Sequence, residues 1–271
     1  MITKEKQEEF RAKYNPDGSS LRTAQLRMLE LLEFLDKICT ENGLRYWMDS
    51  GTLLGAVRHG GFIPWDDDVD VVMPLEDAKQ LKKIMGNKIW DDHIILQHKG
   101  TDKNYIRSSW LTLRDTKSAY IQDSPMHNRL RYRGFQVDIF VHRSGVPKLS
   151  KLFARAWYLT LIHNPLTNDN LKGRILRPFV NFNSQLLECI IIPILSGFTT
   201  KSPFYTGFLG NPFKSKHHKD NIFPLKKVDF EGVMLSAPNN PAKYLQETYG
   251  NWERIPNNDE ILTHNADYRL L

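Results

Sequence analysis

Asp66, Asp67, Asp68 and Asp70 crowd four carboxylates into the stretch WDDDVDVVM, where polar sequence passes into an alternating apolar run. Residues two apart on a strand face the same side, about 6.5–7 Å from one another, so Asp68 and Asp70 should point together. Carboxylates held this close repel, and either some keep their protons or a divalent cation fills the space among them. Hard cations take oxygen ligands, and Mg²⁺ is commonly held by one or two protein carboxylates together with substrate phosphates. Mg²⁺ or Mn²⁺ and a phosphate-bearing substrate are therefore expected. Just upstream, the turn Ser50-Gly51-Thr52 supplies a place for phosphate, because glycine has no Cβ to keep the backbone away and the following helix aims free N–H groups at the same spot. Asp138 in QVDIF falls on the polar face of another alternating segment. From there it can complete a metal pair or take a proton from an attacking hydroxyl.

Arg58 and His59 lie between the turn and the carboxylates. A guanidinium there can neutralise pyrophosphate oxygens as charge builds up in transfer, and Arg114 in LTLRDT can approach the same face from a neighbouring strand. His59, His217, His218 and His264 show no metal-ligand spacing with a third residue and are not assigned as ligands. Tyr249, Trp252 and Tyr268 are of a type that stacks on a base or a sugar, or that packs at the rim of a core.

These groups need elements to hold them. From Leu21 to Cys39 apolar residues recur at three- and four-residue steps, predicting a helix with one buried face that Asn42-Gly43 ends. A short strand at 44–48, a helical segment around Leu53 to Arg58, a strand at 69–73 and a helix from Leu75 to Met85 follow. Further strands are predicted at 94–97, 105–114, 118–122 and 135–140. Between Lys148 and Thr200 the sequence turns to long apolar and aromatic runs with six Lys/Arg against two Asp/Glu, which predicts a helical insertion. The remainder holds a basic loop at 214–219, a strand-like stretch at 228–235 and a helix at 242–249. The fold class expected is α+β, a mixed β-sheet flanked by helices. The division is a catalytic core over 1–147, the insertion over 148–220 and a C-terminal part over 221–271 packing on the core.

The chain of 271 residues carries thirty-seven basic and thirty-one acidic residues, a net +6 that favours an anionic ligand or surface and is too small to argue for nucleic acid. With 41% hydrophobic and 25% charged residues, disordered and fibrous classes are excluded. Cys39 and Cys189 alone cannot build a disulfide framework, so a reducing compartment is expected. Residues 1–15 are charged throughout, without the apolar core of a secretory leader. The longest apolar run, 189–198, contains Pro193 and Gly197 and falls far short of the roughly 20 residues a spanning helix needs. A cytoplasmic protein is expected. The insertion's Phe153, Trp157 and Tyr158, with Lys148, Lys151, Arg155, Arg174 and Arg177, also suit peripheral contact with an anionic membrane surface.

The stretch YWMDSGTLLGAVRHGGFIPWDDDVDVVMP resembles the signature of the LicD/fukutin family, in the nucleotidyltransferase-fold superfamily. GFQVDIF at 134–140 resembles its third acidic strand, and FEGVML with YLQETYGNW, within 230–252, its C-terminal pattern. The resemblance covers about residues 25–145 and 222–264; the insertion matches nothing that identifies an acceptor. It implies transfer of phosphocholine or ribitol phosphate from a CDP-activated donor, CDP-choline favoured, to a sugar hydroxyl of a glycan or lipid-linked glycan precursor, with release of CMP. It assigns Asp66, Asp68 and Asp70 to the metal, Asp138 as the further acidic residue, and Ser50 and Gly51 to the donor phosphates. The spacing argument favours Asp68 and Asp70 and leaves Asp66 in the loop, so the choice between Asp66 and Asp67 stays open. Two other readings are nucleotidyl transfer from an NTP with loss of pyrophosphate, and a non-catalytic nucleotide-binding or membrane scaffold.

Overall fold

The computed structural model describes residues 2–105, 110–122, 124, 127–146, 148, 201–207, 216–257, 260–261 and 267–271, with single positions at 152, 171, 175, 179, 182, 186, 190 and 194. Most of the predicted insertion, including Phe153, Trp157 and Tyr158, lies outside them, as do His264 and the first two residues of the basic loop.

Helix α1 (Lys4–Tyr14) is a charged helix that the apolar spacing did not reveal; it buries only Phe10, which packs edge-on against Trp65. Helix α2 (Ser20–Glu41) is capped by the Ser19 hydroxyl and buries Met28, Leu31, Leu32, Leu35, Ile38 and Cys39, the predicted stripe. Strand β1 (Trp47–Met48) is shorter than expected. Helix α3 (Ser50–His59) starts earlier than expected, so the Ser50-Gly51-Thr52 turn is the helix's own first turn. It ends at Gly60 in the left-handed conformation. Strand β2 (Asp70–Pro74) leads into α4 (Leu75–Met85), which buries Ala78, Leu81 and Met85.

Strands β3 (Ile94–Gln97), β4 (Trp110–Asp115) and β6 (Gln136–Ser144) complete the middle of the sheet, whose order is β1-β2-β6-β4-β3. β2 and β6 run parallel and their neighbours antiparallel, so the sheet is mixed and the α+β class holds. Val71, Ile139 and Leu111 stand side by side on one face and are buried, with α2 and α4 packed near them. The alternate residues, Asp70, Asp138 and Thr112, make a polar row on the other face. Strand β7 (Phe204–Gly207) takes the edge of β6 where β4 has ended, and β8 (Lys216–His218) pairs with it. Part of the predicted basic loop is therefore strand, followed by the short helix α5 (Lys219–Ile222).

The expected single strand at 228–235 is a hairpin, β9 (Lys226–Phe230) and β10 (Val233–Ala237). Its two turn residues, Glu231 and Gly232, both have positive φ, the geometry a tight hairpin turn requires. The Glu231 carboxylate accepts from Arg22 at 2.7 Å and from the backbone N–H of Phe62 at 3.0 Å, clamping this hairpin onto the Gly60-Gly61-Phe62 bend. Helix α6 (Pro241–Tyr249) opens with an Asn240 cap and Pro241 in its first turn, and buries Tyr244 and Leu245 in the same core as α2 and β2. Strand β11 (Asp267–Leu270) pairs antiparallel with β5 (Ser118–Ile121).

Candidate active site

The parallel register of β2 and β6 places Asp70 directly beside Asp138, and β4 adds Thr112 on the other side of Asp138. Asp138 is fixed at both oxygens: the Thr112 hydroxyl donates to Oδ1 at 2.9 Å and the Gln136 amide to Oδ2 at 3.1 Å. Asp70 is fixed through its backbone, whose N–H donates to the Thr52 hydroxyl at 2.8 Å and whose carbonyl accepts the Asp49 N–H at 3.0 Å. The start of α3 is thus stitched to the first residue of β2.

That start is strained. Ser50 has φ 45°, uncommon for a residue with a side chain and typical of places where surrounding structure over-determines the backbone. Asp49 holds the N-cap position without capping the helix; its carboxylate instead accepts from the Ser50 hydroxyl at 3.1 Å and from Tyr244 at 2.7 Å. The first-turn N–H groups have no intrahelical partners, the feature that makes a helix start suited to an anion. A Cβ built on Gly51 would lie 2.5 Å from Asp66 Oδ2, so only glycine lets the helix approach the aspartate loop this closely.

In the loop, the Gln25 amide holds the Asp66 carbonyl at 2.8 Å. Asp67 Oδ2 accepts two phenols, Tyr120 at 2.9 Å and Tyr268 at 2.7 Å. The two rings stack on each other across the β5–β11 pair. Asp66 makes a hydrogen bond with Asp68. Burial, and then the charge of Asp68, pushes the Asp66 and Asp70 carboxyls well above the ordinary carboxylate range; Asp138 and Asp49 add to the effect on Asp70. Their environment asks for positive charge.

This all-oxygen donor set suits Mg²⁺ or Mn²⁺. Among the described residues no three acidic or imidazole groups form a ready-made cage. A cation held by one or two carboxylates and completed by phosphate oxygens and water is the arrangement that fits.

Ser50, Gly51, Thr52, Asp66, Asp68, Asp70 and Asp138 are thus brought together. Arg58, expected at the donor phosphates, lies at the other end of α3. It is buried, and one nitrogen donates to the carbonyls of Trp252 at 3.0 Å and Arg254 at 2.9 Å. Arg114 lies nearer, two residues from Thr112 on the same face of β4. It donates to Gln97 at 2.8 Å and to the Gly134 carbonyl at 2.8 Å, and its charge acts on the Tyr120 phenol that holds Asp67. His59 is buried against Arg58 and accepts from it, and burial lowers its pKa to about 3. His217 stacks on Tyr244 at 3.6 Å and pairs with Glu247 at 3.0 Å.

Spacing did not single out Asp49, Thr112, Gln136, Tyr120 or Tyr244. The position of Asp49 immediately before a helix was a legible cap signal; the others arrive through pairings distant in sequence.

Residues 43–133 match the family model described as LicD/FKTN/FKRP, nucleotidyltransferase domain. The chain is 26% identical over 270 residues to the lipopolysaccharide cholinephosphotransferase LicD of Haemophilus influenzae, covering 90% of this chain and 96% of that protein. It is 40% identical over 68 residues to the human ribitol 5-phosphate transferase FKRP, 24% of this chain and 14% of that one. With the mouse ribitol-5-phosphate transferase FKTN it shares 40% identity over 53 residues, 20% of this chain and 12% of its relative.

Proposed function

We propose that this chain, which belongs to the LicD/fukutin family, is a phosphotransferase that moves phosphocholine or a similar phospho-alcohol from a CDP-linked donor to a sugar hydroxyl of a cell-surface glycan precursor. The observation that carries this is the adjacency of Asp70 and Asp138 on parallel strands, facing an aspartate loop pressed against Gly51 at a helix N-terminus. Similarity to a cholinephosphotransferase over nearly its full length supports the choice of group transferred.

In this reading Ser50, Gly51 and Thr52 receive the donor diphosphate on the first turn of α3. Asp66, Asp68 and Asp70, with Asp138 beside them, would supply the one or two carboxylates that hold Mg²⁺ or Mn²⁺, which would supply charge neutralisation at the phosphate oxygens when bound. Asp138, oriented by Thr112 and Gln136, accepts the proton of the acceptor hydroxyl. The acceptor oxygen forms a bond to the distal phosphorus while the bond from that phosphorus to the bridging oxygen breaks, and CMP departs with the electron pair. Asp67, tied to two phenols, anchors the loop, which favours Asp66 over Asp67 as the ligand. Arg114 supports the loop side through Tyr120.

The acceptor is a glycan or lipid-linked glycan. Contact with an anionic lipid surface is supported by Leu171, Ile175, Phe179 and Phe182, which are 61–75% exposed at helical spacing in a basic stretch. No described helix is long and apolar enough to cross a membrane.

Incubation with Mg²⁺, a glycan acceptor and a panel of CDP-alcohols, followed by chromatography of the small products, tests the function. CMP formation with CDP-choline or another CDP-alcohol is the expected result. Pyrophosphate from an NTP would instead establish nucleotidyl transfer, and the absence of both products with intact, folded protein would leave the scaffold reading.

A further inference from the structure

Helices α1, α2 and α6 each begin on a residue that caps them. The side chains of Thr3, Ser19 and Asn240 accept from the backbone N–H three residues on. Helix α3 begins on Asp49, one of the strongest capping types, with φ −130° and ψ 172°, the extended backbone that a cap residue takes. Its side chain nevertheless takes no first-turn N–H.

The carboxylate is engaged elsewhere. Tyr244 on α6, fully buried, donates to Asp49 Oδ1 at 2.7 Å, and the Ser50 hydroxyl donates to Oδ2 at 3.1 Å. The direction of the phenolic proton is set from behind. The buried Trp47 indole N–H, which can only donate, reaches the Tyr244 oxygen at 3.2 Å and leaves the single phenolic proton for Asp49. His217 stacks flat on the phenol ring at 3.6 Å, and Glu247 holds His217 Nδ1 at 3.0 Å and the Asn221 amide at 2.8 Å. The phenol is thus fixed by β1, β8 and its own helix before it meets Asp49.

Capping a helix and binding an anion at its start draw on the same N–H groups, here those of Gly51 and Thr52. A carboxylate seated on them would occupy the donors and repel a phosphate. We propose that Tyr244 is a positioning residue that withholds Asp49 from the first turn of α3 and so keeps the Gly51 and Thr52 N–H groups open to the donor diphosphate. The assignment of those groups to a diphosphate rests on the phosphotransferase reading; the withholding of Asp49 does not.

Two measurements on the full chain test this. Amide hydrogen exchange without ligand reports the cap: in Tyr244→Phe the released Asp49 should slow exchange at Gly51 or Thr52 by about five-fold relative to wild type, the scale of one helix cap. Calorimetric titration with CDP-choline and Mg²⁺ reports the consequence, and Tyr244→Phe should bind about five-fold more weakly. Adding Asp49→Ala to Tyr244→Phe should reverse both effects, which a loss of packing alone would not do. Asp49→Ser and Asp49→Ala make the same comparison with the buried phenol intact. Serine can cap and alanine cannot, so the serine variant should show the slower exchange and bind CDP-choline about five-fold more weakly than the alanine variant. Equal exchange within each pair, or a double variant that binds as weakly as Tyr244→Phe, would overturn the proposal. If exchange behaves as expected while the wild type binds no CDP-choline, Tyr244 keeps its role and the donor reading fails.

Discussion

Asp115 and Asp70 sit on strands of one sheet, and their surroundings differ in kind. Asp115, at the end of β4, is fully buried; it accepts from Arg27 at 2.8 Å and from the backbone N–H of Lys117 at 2.9 Å. Its hydrogen bond to Arg27 raises the guanidinium's pKa, as a satisfied pair should. Asp70 is surrounded by Asp68, Asp138, Asp49 and Asp66, and the balance of burial and repulsion drives it towards the protonated form. A buried carboxylate with its cation in place is structural; one kept among other carboxylates is held ready for a charge brought from outside. The same contrast separates Glu231, clamped by Arg22 at the hairpin turn, from Asp66 against Gly51.

Substitutions can break this contrast from either side. The largest effect expected is on turnover: Asp70→Asn or Asp68→Asn should lower it by about 10³-fold or more with the fold intact, because each removes a carboxylate proposed to hold the cation that neutralises the phosphate. CMP release alongside circular dichroism checks this, and near-normal activity in both variants would reject the metal assignment. Arg27→Met should do the reverse, costing about 3–5 kcal/mol of stability by stranding Asp115, while activity per folded molecule stays close to wild type. Urea titration and an assay at low temperature measure the two.

Gly51→Ala falls between these extremes. Its Cβ meets Asp66 Oδ2, so the loop must shift, and a displacement near 1 Å at a transfer site costs about 10²-fold in rate. Stability should change little, which thermal melting would show.

The smallest effect concerns pH. The raised Asp66 and Asp70 carboxyls keep protons in the folded protein that the unfolded chain has released. Their stabilising contribution is complete below the unfolded value of about 4 and is lost as pH rises through the higher folded values. Metal-free wild type should therefore lose thermal stability between acid and neutral pH relative to Asp70→Asn. At neutral pH the variant should melt about 2–4 °C higher, equivalent to about 1 kcal/mol. Equal melting curves across that range would remove the repulsion argument.

Much of the aspartate site was legible because its signals are local. Alternation fixed the faces of Asp70 and Asp138, the glycine turn marked the close approach, and the stripe of α2 predicted its buried side. What the sequence hid depends on partners far along the chain. The parallel pairing of β2 with β6 is a long-range register that neither strand encodes by itself. The phenols of Tyr120 and Tyr244 read as ordinary aromatic residues until pairing and packing deliver them to Asp67 and Asp49, and Tyr268, of a type that stacks on a base or a sugar, donates to Asp67. Arg58 was misplaced for the same reason: proximity in sequence suggested the phosphates, whereas the carbonyls that capture it come from 194 and 196 residues further on. The β9–β10 hairpin was missed because its turn signal, Glu231-Gly232, interrupts an apolar run that otherwise looks continuous.

The bond from Tyr244 to Asp49 spans 195 residues. During synthesis, then, the ribosome must deliver α6 before the first turn of α3 can reach its working shape. A nascent polypeptide bearing only the sheet and its aspartates would already own the clustered carboxylates and still lack the phenol that holds Asp49.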